Sequence, residues 1–308
     1  MKNILFLLLI ITLFSCEKVE TSQCESLDVS QDINKKNRNV LIIGLDGFRA
    51  DGMQNSITPF MYNLSQSANS YYTSTTRTEI TTSSGPNWSS ILTGVHQDKH
   101  LVENNGFTNN VLANYPHFMY YLEQANPQLK TISLVHWTPI NLIITKDFAD
   151  YAPLEGGTDS LINENANAFL SPSSSENPDV LFLHFDDLDY NGHATGYHPD
   201  STNYRQTLTR IDSYVQELFT SIENRRANGE DWMVFIVSDH GGYLTDHGSY
   251  PDNPDVFNTI FFANHPSIKF TDDLKNEQVN LVPTIFDYLG IKSPKFECYK
   301  DGKSLIKN

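Results

Sequence analysis

The feature that most constrains this chain is the stretch from Trp232 to Gly248, WMVFIVSDHGGYLTDHG. Trp232 to Val237 are apolar throughout and rich in β-branched and aromatic residues. A run of that kind predicts a strand buried on both faces, which is the pattern of a parallel sheet. At its carboxyl end stand Asp239, His240, Gly241 and Gly242, and His247 with Gly248 follows closely. Open parallel sheets bind ligands just beyond the carboxyl ends of their strands. An Asp and two His released there, beside glycines that allow close backbone approach, form a candidate metal site. The bland alternative is a strand-to-loop turn in which Asp and His cap nearby backbone.

The same pattern recurs. Asn39 to Leu45 is a second strand, free of polar side chains from Val40 on, ending in Asp46-Gly47-Phe48-Arg49. Val180 to Phe185 is another, delivering Asp186, Asp187 and Asp189, then Gly192 and His193. Thr131 to Val135 and Thr259 to Ala263 are further strand candidates. Helices are expected near 117–125, from Thr158 or Asp159 to about Leu170, over 200–223, and from Leu281 to Leu289. In 200–223 the stripe Tyr204, Leu208, Ile211, Val215, Leu218, Phe219 and Ile222 keeps three-four spacing and reads as core. Strands alternating with helices predict an α/β fold: a three-layer α/β/α sandwich around a mostly parallel sheet, in one domain over 39–308. In such a sheet, Asp46, the Asp186–Asp189 group and Asp239 converge on one edge. Carboxylates with imidazoles suit a borderline cation such as Zn²⁺, and six such ligands exceed one tetrahedral ion but suit two.

Between 73 and 94 the chain is rich in hydroxyls, and a short helix is expected from Asn87 to Gly94. Ser84 would then lie just before a helix N-terminus, either as a plain N-cap or as a group at an anion-binding position. The net charge of −16 argues against nucleic acid as a partner, since phosphate backbones select basic surfaces.

The N-terminus reads as an address. Lys2, an apolar run from Ile4 to Phe14, then Ser15 and Cys16 have the plan of a secretory signal over 1–16, too short to span a membrane. Leu13 to Cys16 resembles a bacterial lipobox, in which Cys16 would be lipidated and anchor the protein in the cell envelope; an ordinary signal peptide with a chance cysteine is the alternative. Residues 17–38 are polar and read as a tether. With Cys16 lipidated, Cys24 and Cys298 remain as a candidate disulfide or as two free thiols.

Taken together, the motifs GLDGFR (44–49), SGPNWSSILTG (84–94), DYNGH (189–193), SDHGG (238–242) and DHG (246–248) resemble, in order, those of the alkaline phosphatase superfamily and its type I phosphodiesterase/nucleotide pyrophosphatase branch. The resemblance covers essentially all of 39–308. It implies a hydrolase of phosphate esters with two divalent metals, most readily zinc. One metal would sit on Asp46, Asp239, His240 and the nucleophile Ser84, the other on Asp189, His193 and His247. It also implies that Asn105, or Asn104 in its place, together with the backbone N–H after Ser84, holds a phosphoryl oxygen. A covalent phosphoseryl intermediate would follow. Two departures stand out. Gly85 occupies the position where nucleotide pyrophosphatases carry an aromatic residue that holds the base. Trp88 stands where sulfatases of the same superfamily have Arg, which leaves a sulfatase-like sulfuric ester hydrolase as the second reading. A non-catalytic, metal-stabilised surface lipoprotein is the rival from another class.

Overall fold

The computed structural model describes residues 24–26, 28–271 and 276–307. The signal and lipobox reading of 1–16, with Cys16, lies outside the described residues. Eight strands follow in chain order: β1 (Ser30–Gln31), β2 (Arg38–Leu45), β3 (Ser70–Arg77), β4 (Thr131–Val135), β5 (Val180–Phe185), β6 (Asp231–Val237), β7 (Asn258–Asn264) and β8 (Ile291–Lys292). The helices that matter here are α1 (Pro59–Ser65), α2 (Ser84–Thr93), α3 (Phe118–Ala125), α4 (Asp159–Leu170), α5 (Asp187–Thr195), α6 (Thr202–Ala227), α7 (Leu281–Leu289) and α8 (Pro294–Tyr299).

The main sheet has six strands in the order β3-β7-β6-β2-β5-β4. β6, β2, β5 and β4 are parallel neighbours, whereas β7 runs antiparallel to both β6 and β3. The sheet is therefore mixed but mostly parallel, as expected. β2 lies in its middle, and its side chains alternate between two cores. Val40 and Ile42 join the core under α2, α3 and α7, while Leu41 and Ile43 join the one under α4 and α6. That alternation is the period-two geometry of a strand, and burial on both faces explains why nothing polar interrupts it. Each such side chain contributes about 1.5–3 kcal/mol on burial.

Register brings the site together. Leu45 pairs with Phe185, and Gly44 with Val237, so the residues after these three strands emerge side by side at one edge. The α6 stripe is core throughout, and its buried Asp212 accepts from the Phe60 and Met61 N–H groups at the start of α1.

Two expectations need correcting, and one strand was not expected. The hydroxyl-rich 70–77 segment is an edge strand, β3, whose alternating burial suits Tyr and Thr on a half-covered sheet. Helix α2 begins at Ser84 itself, with Ser83 at the N-cap. Residues 17–38 are not a free tether from Cys24 onward. Cys24 is disulfide-bonded to Cys298 on α8, β1 pairs with β8, and Lys35 donates to the Asp287 carbonyl at 2.6 Å. These contacts supply the partners that a polar segment lacks when read alone.

Candidate active site

Asp46 follows β2 directly and is fully buried. Its two oxygens face different surroundings. Oδ2 accepts from the Trp88 indole N–H at 2.8 Å and lies 3.0 Å from His184 Nε2. Oδ1 faces Ser84 Oγ at 3.5 Å and His240 Nε2 at 3.4 Å. The Trp88 ring lies across β2 at Gly44, where an added Cβ would come within 2.5 Å of it. Trp88 is thus packed, as a residue in that helix should be, and also positions a carboxylate.

Asp239 is fully buried after β6. Its Oδ1 accepts from the Gly47 N–H at 3.2 Å, while Oδ2 is buried without a hydrogen-bond donor and lies 3.3 Å from His240 Nε2. Asp189 and His193 stand one turn apart on α5, with His193 Nε2 3.4 Å from Asp189 Oδ2. His247 Nε2 is 3.8 Å from Asp189 Oδ1, and the His240 and His247 rings stack at 3.8 Å between centroids.

All three histidines have Nδ1 against a backbone carbonyl: His240 on Gly241 at 2.8 Å, His193 on Thr245 at 2.9 Å and His247 on Thr82 at 2.6 Å. Donation from Nδ1 leaves the Nε2 lone pair directed at the carboxylates, the tautomer a metal ligand needs. Thr82 returns the contact by donating its hydroxyl to the His247 carbonyl at 2.7 Å.

The electrostatics are costly without a cation. Burial, then the Asp239 and Asp189 charges, push Asp46 well above the usual carboxylate range, and burial and Asp189 do the same to Asp239. Burial and His240 push His247 down to about 3. Burial holds His184 down at about 4, hence neutral. The ligand atoms of Asp46, Asp239 and His240 lie within 4.8 Å of one another, as do those of Asp189, His240 and His247. Clustered carboxylates, Nε2 lone pairs and the orphaned Asp239 Oδ2 fit divalent cations. The structure differs from the sequence expectation in one respect. His240 belongs to both clusters, and His193 is exposed and reaches the second through Asp189.

Ser84 is buried at the first position of α2, its Oγ 3.3 Å from His240 Nε2. Asn105 reaches the same turn, where its Oδ1 accepts from the Gly85 N–H at 2.7 Å. That N–H, expected to bind substrate, is engaged by Asn105, which leaves the Asn105 Nδ2 group as the donor there. A Cβ at Gly85 would meet the Asn104 carbonyl at 3.0 Å, so glycine lets this loop close over the turn. Arg49 pairs with Asp51 and Asp255 and donates to the Gly242 carbonyl, a structural role. His100 is held by Ser90 and the Val102 N–H, away from the ligands. Two further carboxylate–imidazole groups lie alongside, Asp46 with His184 and Asp186, and His136 with Asp159 and Asp187; in the latter, Asp159 accepts from the backbone N–H groups of Asp186 and Asp187 and from His136.

Sequence reading missed Thr82, the Trp88 indole and Tyr197, whose hydroxyl donates to Asp189 Oδ1 at 2.5 Å. Only Trp88 carried a signal, being four residues after Ser84 and therefore on the same helix face.

Fold and site together define an α/β/α protein with an acid–histidine centre at the carboxyl edge of its sheet, beside a buried serine. A family model described as type I phosphodiesterase / nucleotide pyrophosphatase matches residues 40–261, and the chain belongs to that family. Among curated proteins it is similar to bis(5'-adenosyl)-triphosphatase ENPP4 of Bos taurus, 28% identical over 223 residues, covering 66% of this chain and 47% of that protein. It is also similar to GPI ethanolamine phosphate transferase 1 of Homo sapiens, 26% identical over 234 residues, covering 69% of this chain and 24% of that one. The chain thus spans less than half the length of these relatives. Among solved structures, the C-terminal periplasmic domain of EcEptC from Escherichia coli in complex with Zn shares the fold. Its TM-score is 0.63 at 12% identity, covering 91% of this chain and 89% of that one. Among the described residues, no helix is long and apolar enough to cross a membrane.

Proposed function

We propose that this protein is a two-metal phosphoric ester hydrolase acting through a covalent phosphoseryl intermediate on Ser84, with diesters preferred over monoesters. The observation that carries this reading is the convergence of three carboxylates with the Nε2 lone pairs of His240 and His247 beside Ser84 Oγ. Asp46, Asp239, His240 and Ser84 would hold one divalent cation and Asp189, His193 and His247 the other. When bound, such cations lower the pKa of an oxygen nucleophile and neutralise phosphoryl charge. Zinc is the metal we favour, in keeping with the donor set and the zinc complex of EcEptC.

The chain's own residues divide the work. Ser84 Oγ attacks phosphorus in line, forming the Ser–O–P bond as the bond to the leaving oxygen breaks; water then cleaves the phosphoseryl ester. The Ser84 hydroxyl donates to Asp46 Oδ1 at 3.5 Å, the carboxylate oxygen nearest its proton. Asn105 Nδ2 donates to an equatorial phosphoryl oxygen, where a good donor contributes on the order of 3 kcal/mol. The leaving group departs on the side of Asp189 and His247.

Sulfuric ester hydrolysis stands second, because Trp88 offers a neutral indole N–H already committed to Asp46 where a cationic side chain would meet sulfate. A nucleotide substrate is disfavoured by Gly85, whose Cβ position is closed off by the 104–105 loop. We further infer a cell-envelope lipoprotein lipidated at Cys16, with a small phosphate ester rather than nucleic acid as partner. The test is a panel of aryl phosphate diesters, monoesters and sulfates given to zinc-loaded protein. Diester turnover abolished by Ser84→Ala, with zinc content retained, is the expected result. No turnover on any of the three substrates would overturn the hydrolase reading.

A further inference from the structure

Tyr197 is fully buried between the two segments that carry the site's histidines. A Cβ added at Gly192 would stand 2.3 Å from the Tyr197 ring, and one at Gly242 would stand 2.2 Å from it. Real contacts are never that short, so the ring occupies a slot that exists because DYNGH and SDHGG each place glycine there. Tyr204 packs on the ring at 5.8 Å, His193 and His247 meet it at 5.5 and 6.3 Å, and the Tyr197 N–H donates to the Leu244 carbonyl at 2.8 Å. Held this way, the phenol can point in one direction only. Its O–H donates to Asp189 Oδ1 at 2.5 Å. Behind Asp189, an added Cβ at Gly47 would lie 2.9 Å from the Asp189 Cα, so this carboxylate is backed on one side and bonded on the other.

We propose that Tyr197 is a positioning residue for the half-site built on Asp189: its hydroxyl fixes the rotation of the Asp189 carboxylate and thereby sets the affinity for the cation held with His193 and His247. This rests on the two-cation reading above. Hydrogen bonds to a ligating carboxylate are worth about 10–100-fold in metal affinity, and a donor clamped in a slot loses little entropy in making one. The contact also leaves Oδ2 as the oxygen turned toward His193.

Tyr197→Phe keeps the ring in its slot and removes only the hydroxyl. Zinc alone, titrated into the full chain against a competing chelator, is the probe. The wild type should take up two zinc ions, whereas Tyr197→Phe should bind one with unchanged affinity and the other about 10–100-fold more weakly. Melting in excess EDTA separates a packing role from a positioning one. A variant that melts lower but keeps both zinc affinities overturns the proposal, and so does one that weakens both sites equally. A wild-type chain that binds fewer than two zinc ions removes the two-cation reading and this inference with it. Two wild-type zinc ions with an unaltered Tyr197→Phe sink the inference alone.

Discussion

Replacing Asp239 by Asn should make the metal-free protein more stable and the metal-loaded protein less so. Asp239 is buried with carboxylate oxygens of Asp46 close by, the ligand atoms of that cluster lying within 4.8 Å of one another. Two charges at that separation repel by about 3 kcal/mol at an effective dielectric constant of 20. The amide that Asp239→Asn introduces keeps an acceptor for the Gly47 N–H, which Asp239 Oδ1 now serves. At about 2 °C per kcal/mol for a chain this long, the full repulsion corresponds to about 6 °C, and the variant should melt above the wild type in EDTA at pH 8 by up to that amount.

The pH dependence has a definite sign. Burial and Asp189 raise the folded-state value of Asp239 well above its ordinary range. Such a group imposes no penalty below its unfolded value, about 3.9, and a growing penalty as the pH rises toward the folded one. The advantage of Asp239→Asn should therefore be complete only above the raised folded value and should vanish near pH 4. Zinc reverses the order. At a thousandfold excess over Kd it should stabilise the wild type by about 4 kcal/mol and the variant far less. Differential scanning calorimetry with and without zinc at pH 4 and pH 8 makes the comparison. A variant that melts below the wild type in EDTA at pH 8, or that gains as much from zinc, would refute the charge-repulsion argument.

Two further outcomes are expected. His184→Leu removes a donor from Asp46 Oδ2 and should weaken the zinc site containing Asp46 by about 10–100-fold, with His184→Gln recovering part of the loss; isothermal titration would expose an error as an unchanged affinity. Opening the Cys24–Cys298 bond, which closes a sequence separation of 274 residues, should cost about 2–5 kcal/mol, seen as a lower urea midpoint for Cys24→Ser/Cys298→Ser than for the oxidised protein.

How far the sequence went depended on how strongly each residue's surroundings were written locally. Asp46 and Asp239 were legible because an all-apolar strand ending in a carboxylate has few alternatives, and register then brought them together. α7 was legible to the residue, since Gly290 supplies its left-handed cap at φ 71. β3 was not, because serines and threonines fit a half-covered edge strand as well as a loop. Asn105 could be drawn toward Ser84, but the direction of its amide depends on a loop closing over Gly85, which no local pattern encodes. Tyr197 and Thr82 act through partners 8 and 165 residues away, and neither has a periodicity to betray it.

The staple at the N-terminal end has a geometric consequence. β1 pairs with β8, which follows α7, and Arg38 at the start of β2 donates to the Tyr288 carbonyl, so this end of the chain is tied down at the amino edge of the sheet. Ser84 and its neighbours stand at the carboxyl edge. The eight residues of β2 separate the two edges, roughly 26 Å at the rise of a strand. The described chain thus enters the fold at the edge opposite Ser84.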